Sequence, residues 1–116
     1  MKKTIEMLKA LGDENRFRIV MLLKARKMCV CEIYKILDIS GATLSVHLKI
    51  LKNAGIVTQR RDGRWIEYYI NEDEKMKLIL DQIENTIEKK DVIRKDRGMA
   101  MKMSREQCSD SFSKKK

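Results

Sequence analysis

A chain of 116 residues that is 43% hydrophobic can fill the core of one modest domain, and a domain this small gains from pairing with a copy of itself. The net charge of +9 points to a polyanionic partner, nucleic acid first. No run of 18 apolar residues and no secretory leader after Met1-Lys2-Lys3-Thr4 can be read, so no membrane span is expected and the location is cytoplasmic. Three cysteines, Cys29, Cys31 and Cys108, are an odd number, which speaks for ligands or redox groups rather than a disulfide framework. A single histidine, His47, and the lack of a Gly-rich phosphate loop leave no constellation for an enzyme or an organic cofactor.

In chain order, Thr4 to Leu11 reads as a short amphipathic helix with Ile5, Leu8 and Leu11 at helical spacing, ended by Gly12. Asp13 caps a second helix that turns Phe17, Val20, Met21 and Leu23 inward. A third helix spans roughly Cys31 to Leu37, and Asp38-Ile39 makes a tight link. Ser40 caps a fourth, Gly41 to Asn53, in which Leu44, Leu48 and Leu51 form one buried stripe. Its other face shows Ala42, Val46, Lys49 and Asn53, flanked by Thr43 and Ser45. Gly55 supplies a left-handed stop.

Two strands follow, Ile56 to Arg61 and Arg64 to Ile70, about an Asp62-Gly63 turn. Ile66, Tyr68 and Ile70 share one face, Trp65, Glu67 and Tyr69 the other. Asn71, with Glu74 completing a capping box, opens a last long helix seamed by Met76, Ile79, Leu80, Ile83 and Ile87. The chain thus divides into a domain over 1–96 and a basic, flexible tail over 97–116.

Two short helices, a tight link and a helix with a polar N-terminal face spell helix-turn-helix, and the hairpin adds a wing. From Ser40 to Arg64 the cations Lys49, Lys52, Arg60, Arg61 and Arg64 face only Asp62. The predicted DNA-contacting set is Ser40, Thr43, Ser45, Val46, His47, Lys49, Arg60, Arg61 and Arg64, for base edges and phosphates. His47 is open between a phosphate contact and a bond within the domain. The bland alternative is a solvated helix and hairpin with an ordinary charged rim, or an architectural protein that coats DNA without sensing anything.

Three blocks then resemble the ArsR/SmtB family of bacterial metal-responsive repressors: Met28-Cys-Val-Cys-Glu-Ile33, Ser45-Val-His-Leu-Lys-Ile-Leu-Lys-Asn-Ala-Gly-Ile-Val57 and Arg61-Asp-Gly-Arg-Trp-Ile-Glu-Tyr-Tyr-Ile70. The resemblance covers about 3–90. It implies a fold that is mainly α with a small β-hairpin wing, a winged helix-turn-helix dimerising through the first and last helices, with Ile5, Leu8, Ile79, Ile83 and Ile87 as the dimer-forming residues. It further implies a homodimeric repressor that binds double-stranded operator DNA with inverted-repeat symmetry and releases it on binding an inducer at Cys29 and Cys31. The chain departs from the pattern in places. Where the best-known arsenic repressors carry a third cysteine stands Tyr34. The N-terminal cysteines of cadmium/lead sensors and the Asp/His pairs of zinc and cobalt sensors are missing, and Asp13-Glu14 replaces an Asp-Pro.

Thiolates select arsenite, antimonite, cadmium, lead, zinc or copper(I). Trivalent arsenic takes three sulfurs, so arsenite or antimonite is the expected inducer, with cadmium, lead or zinc as alternatives. The third sulfur comes from Cys108 of the same or a second chain, or from a small cellular thiol. On a regular helix Cys29 and Cys31 would diverge by about 200°, so a shared ion is expected to unwind the start of the third helix. A thiol-redox or persulfide sensor of the same fold is the alternative, two small buried hydrophobes the bland one. Met99, Met101 and Met103 offer thioethers for copper(I), or are chance methionines in a linker.

Overall fold

The computed structural model describes residues 1–108. Its elements are α1 (Lys2–Leu11), α2 (Glu14–Ala25), β1 (Met28–Cys29), α3 (Val30–Ile36), α4 (Gly41–Asn53), β2 (Val57–Asp62), β3 (Trp65–Ile70), α5 (Glu74–Glu84) and α6 (Asp91–Met101). The strands form one antiparallel sheet in the order β1-β3-β2.

The second helix is the axis of the core. Ile19, Val20, Met21, Leu22 and Leu23 are all buried, five in a row. A helix covered on one side shows an apolar stripe, and one covered on every side shows a continuous run. Here α1, α4, α6 and β3 all pack on α2. Asp13 caps it, its carboxylate accepting the Arg16 N–H at 3.0 Å. The expected α4 stripe is in place, with Leu44, Leu48 and Leu51 buried, Ser40 accepting the Thr43 N–H at 3.1 Å, and Gly55 at φ +78° turning the chain into β2.

Several details differ from the sequence reading. The wing turn is Gly63-Arg64, not Asp62-Gly63: Asp62 pairs with Trp65, and Gly63 takes the left-handed φ of +63°. Asp73, not Asn71, caps α5, accepting the Lys75 N–H at 3.3 Å, while the Asn71 amide donates to the Gly55 carbonyl at 3.0 Å. Asn71 thus ties the end of the wing to the end of α4.

The main difference is α6, which runs through the expected boundary at 96/97. Ile93, Asp96 and Ala100 make its buried face. Arg18 of α2 donates to both Asp96 oxygens at 2.9 Å. Arg97 donates to both oxygens of Glu84 at 3.0 Å and to the Met21 carbonyl at 3.0 Å. Residues 97–108 therefore lie on the body of the domain. The rest of the expected tail, 109–116, lies outside the described residues. The helix expected to be last is α5, so α6 and not α5 is the last described helix.

Candidate thiol site and DNA-facing surface

Cys29 sits where two elements meet. It is the last residue of β1, paired with Glu67 of β3, and it is also the N-cap of α3 in extended conformation. Cys31 lies in the first turn of α3. Because Cys29 is outside the helix, the divergence expected on a continuous helix does not arise. The two sulfurs stand 2.8 Å apart with α3 intact, so no unwinding is needed to bring them together. The Glu32 carboxylate reaches back to accept the Cys29 N–H at 3.0 Å and is itself held by Arg26. Arg26 also donates to the carbonyls of Ala100 and Met103, at 3.0 and 3.3 Å, fastening the start of α3 to the end of α6.

The chain beyond α6 turns back over the sheet and delivers Cys108. All three cysteines are buried and cluster together, with Trp65 packed against them. Burial raises every thiol: Cys29 strongly, Cys31 to about 11, and Cys108 as well. The site therefore holds neutral thiols near pH 7. Among the described residues no three His, Cys, Asp or Glu side chains already form a metal-holding cage, so the sulfurs must move to share one guest. Their chemistry suits a thiophile. Among the described residues the two nearest carboxylates have cationic partners, Glu32 with Arg26 and Glu67 with Arg105 through Oε2, while Glu67 Oε1 is buried without a hydrogen bond. Tyr34, where a third cysteine was looked for, packs partly buried against the main core.

The fourth helix, α4, exposes Thr43, Ser45, Val46 and Lys49. Ser40 is exposed and serves as the cap, its hydroxyl also bonded to Thr43 Oγ1 at 2.8 Å. His47 belongs to the interior rather than to this surface: its side chain is 12% exposed, and Nδ1 accepts from Arg16 at 3.2 Å. Arg donates only, so the ring proton sits on Nε2, toward Asp13 at 3.9 Å. In the wing, Arg61 is exposed and donates to the Gly63 carbonyl at 3.2 Å. Arg64 lies over the Trp65 ring at 4.5 Å. Arg60 stands over Tyr69 and 3.7 Å from Glu67, so part of its charge is already matched. Of the expected dimer residues, Ile5 and Leu8 are 44% and 52% exposed on α1, whereas Ile83 and Ile87 pack partly against the chain's own core. Leu78 of α5, not singled out in the sequence, is 63% exposed.

Three features escaped the sequence reading: β1, α6 and the Arg105 contacts. A two-residue strand has no periodicity to detect. The buried face of α6 has one large apolar residue, Ile93, beside an aspartate and an alanine. Arg105 is one basic residue among many.

Residues 13–59 match the family described as bacterial regulatory protein, arsR family. An uncharacterized HTH-type transcriptional regulator of Methanocaldococcus jannaschii is 44% identical over 67% of this chain and 89% of that protein. The arsenical resistance operon repressor of Bacillus subtilis is 34% identical over 72% of this chain and 80% of its own length. The cadmium resistance transcriptional regulatory protein CadC of Listeria innocua is 46% identical over 53% of each chain. The solution structure of a homodimeric winged helix-turn-helix DNA-binding domain from Mycobacterium bovis superposes with a TM-score of 0.67 at 26% identity, over 72% of this chain and 77% of that one. With the helix-turn-helix, the wing and these relatives in hand, the chain belongs to the arsR family: it is a winged-helix, DNA-binding transcriptional repressor and not an enzyme.

Proposed function

We propose that this repressor is released from its operator by arsenite or antimonite captured at Cys29, Cys31 and Cys108. The observation that carries the reading is the gathering of all three of the chain's thiols, buried, in one cluster. Arsenous acid condenses with thiols: As(OH)3 + 3 RSH gives As(SR)3 + 3 H2O. No proton is released and the product is neutral. A divalent cation must instead displace three protons and leave a tris-thiolate of charge −1. Raised thiol pKa values and a buried setting both disfavour the second course. The same donor set lacks the fourth ligand that zinc and cadmium prefer.

Release follows from where the thiols are attached. Cys29 belongs to a strand paired with wing strand β3, and Cys29 and Cys31 together form the start of α3, the helix before the DNA-facing α4. Drawing three sulfurs around one arsenic displaces both elements at once. A coupling of about 1–3 kcal/mol is enough to lower operator affinity several-fold or more. The operator carries two half-sites read by a homodimer formed through α1 and α5.

The test is a thiol count with a DNA readout. Reduced protein is titrated with arsenite while reactive thiols and release of a labelled promoter fragment are followed. Three thiols protected per arsenite, with release in step, is the expected result. Arsenite binding without any change in operator affinity refutes the reading. The 2.8 Å approach of Cys29 and Cys31 also favours a second reading, in which an external oxidant takes two electrons and two protons from the pair to close a disulfide. That reading predicts release by oxidant with no arsenical present.

A further inference from the structure

Cys108 reaches the thiol pair on a single helical turn, its N–H donating to the Ser104 carbonyl at 3.1 Å. One turn has too little internal stability to hold a side chain in place. Three residues earlier, on the same side of the turn, stands a side chain bound to the sheet. Arg105 Nη1 donates to Asp62 Oδ2 at 2.8 Å and to Glu67 Oε2 at 3.1 Å, and the guanidinium lies over the Trp65 ring at 4.3 Å. Glu67 is the β3 residue paired with Cys29. Trp65 packs against the cluster that the three cysteines form. The anchor for the third thiol is thus set on the strand that also positions the first.

We propose that Arg105 is a positioning residue of the thiol site: by docking on Asp62, Glu67 and Trp65 it seats Cys108 against Cys29 and Cys31, and so gives the site its preference for guests that need three sulfurs over guests that need two. This rests on the three-thiol reading above. Without the anchor Cys108 is a tethered group at a far lower local concentration, and its sulfur must be ordered as the guest binds. The Cys29–Cys31 pair keeps its own supports, Glu32 and Arg26, and does not depend on Arg105.

Two arsenicals separate the cases. Arsenite condenses with three thiols. Phenylarsine oxide condenses with two, PhAsO + 2 RSH giving PhAs(SR)2 + H2O. Trp65 is the sole tryptophan, so its emission reports binding at this site. In full-length reduced protein, Arg105→Gln is expected to weaken arsenite binding about ten-fold or more, as Cys108→Ser does, and to leave phenylarsine oxide binding within two-fold of wild type. Arg105→Lys, which keeps the charge facing Asp62 and Glu67, is expected to recover part of the loss. Wild-type arsenite affinity in Arg105→Gln overturns the proposal. So does an equal loss for both arsenicals, which would make Arg105 a general support of the fold. A wild-type protein that binds phenylarsine oxide but not arsenite, or in which Cys108→Ser changes nothing, fails the three-thiol reading itself.

Discussion

Cys29 shows how much one position can carry. It is strand residue, helix cap and proposed ligand together, and its sulfur meets that of Cys31 because a cap lies outside the helical path. The Cys-Val-Cys spacing was plain in the sequence, but the backbone conformation that makes it useful was not, since the paired strand is only two residues long. His47 went the other way: its place between the stripe and the exposed face left two roles open, and Arg16 takes it for the interior. At this scale the thiol acidity is directly testable. Cys31 is pushed up to about 11 by burial, against 9.0 for an ordinary thiol. Alkylation of Cys31 by iodoacetamide should therefore gain rate up to about pH 11 in the folded protein and level off near 9 once it is unfolded. A folded-state midpoint near 9 would mean that the pocket is open to water.

Helices and strands were readable where their apolar residues repeat. The α4 stripe of Leu44, Leu48 and Leu51 and the alternation in β3 are periodic, and both elements are found within a residue or two of where they were expected. The sixth helix was hard to read because only Ile93 and Ala100 of its face are buried apolar residues and ion pairs supply much of the rest of its attachment. Asp96 is nearly buried and meets Arg18 with both oxygens, so Asp96→Ala leaves a half-buried guanidinium without its partner. A loss of about 2–3 kcal/mol in urea unfolding is expected, and a change under about 0.5 kcal/mol would show that α6 is held by other contacts. Glu84 adds a pH dependence. Hydrogen bonds from Arg97, then Lys24, lower its carboxyl to about 2 from an ordinary 4.5. A depressed acid stabilises the fold above its unfolded value, and that stability is lost as pH falls through the folded one. Denaturant midpoints should therefore hold above about pH 5 and fall between about 4.5 and 2, and Glu84→Gln should flatten that fall. In the wing, Arg61 and Arg64 are exposed and are proposed to meet phosphate. Replacing both with Ala should weaken binding to every DNA sequence and reduce the slope of log affinity against log salt by about 2.

At the level of the whole molecule, the DNA-facing surface and the thiols lie on different elements but share two connections, the β1–β3 pairing and the α3–α4 link. The family was evident from three blocks of sequence, because recognition helix and wing are contiguous. The third sulfur was named in the sequence only as a distant candidate, since 76 residues of chain lie between Cys31 and Cys108 and only packing joins them. The exposed Ile5 and Leu8 of α1 give the proposed dimer its apolar contact. Leu8→Glu should yield a folded monomer by sedimentation and lose affinity for a two-half-site operator; an unchanged dimer would place the contact elsewhere. The central claim is that thiol capture frees the DNA. It is tested most directly by following the anisotropy of a labelled promoter fragment as arsenite is added under reductant to wild type and to the Cys29→Ser/Cys31→Ser variant. Both proteins should bind the fragment alike, with wild type released near one equivalent of arsenite per chain and the variant staying bound. Release of the variant at the same arsenite concentration as wild type would contradict the account.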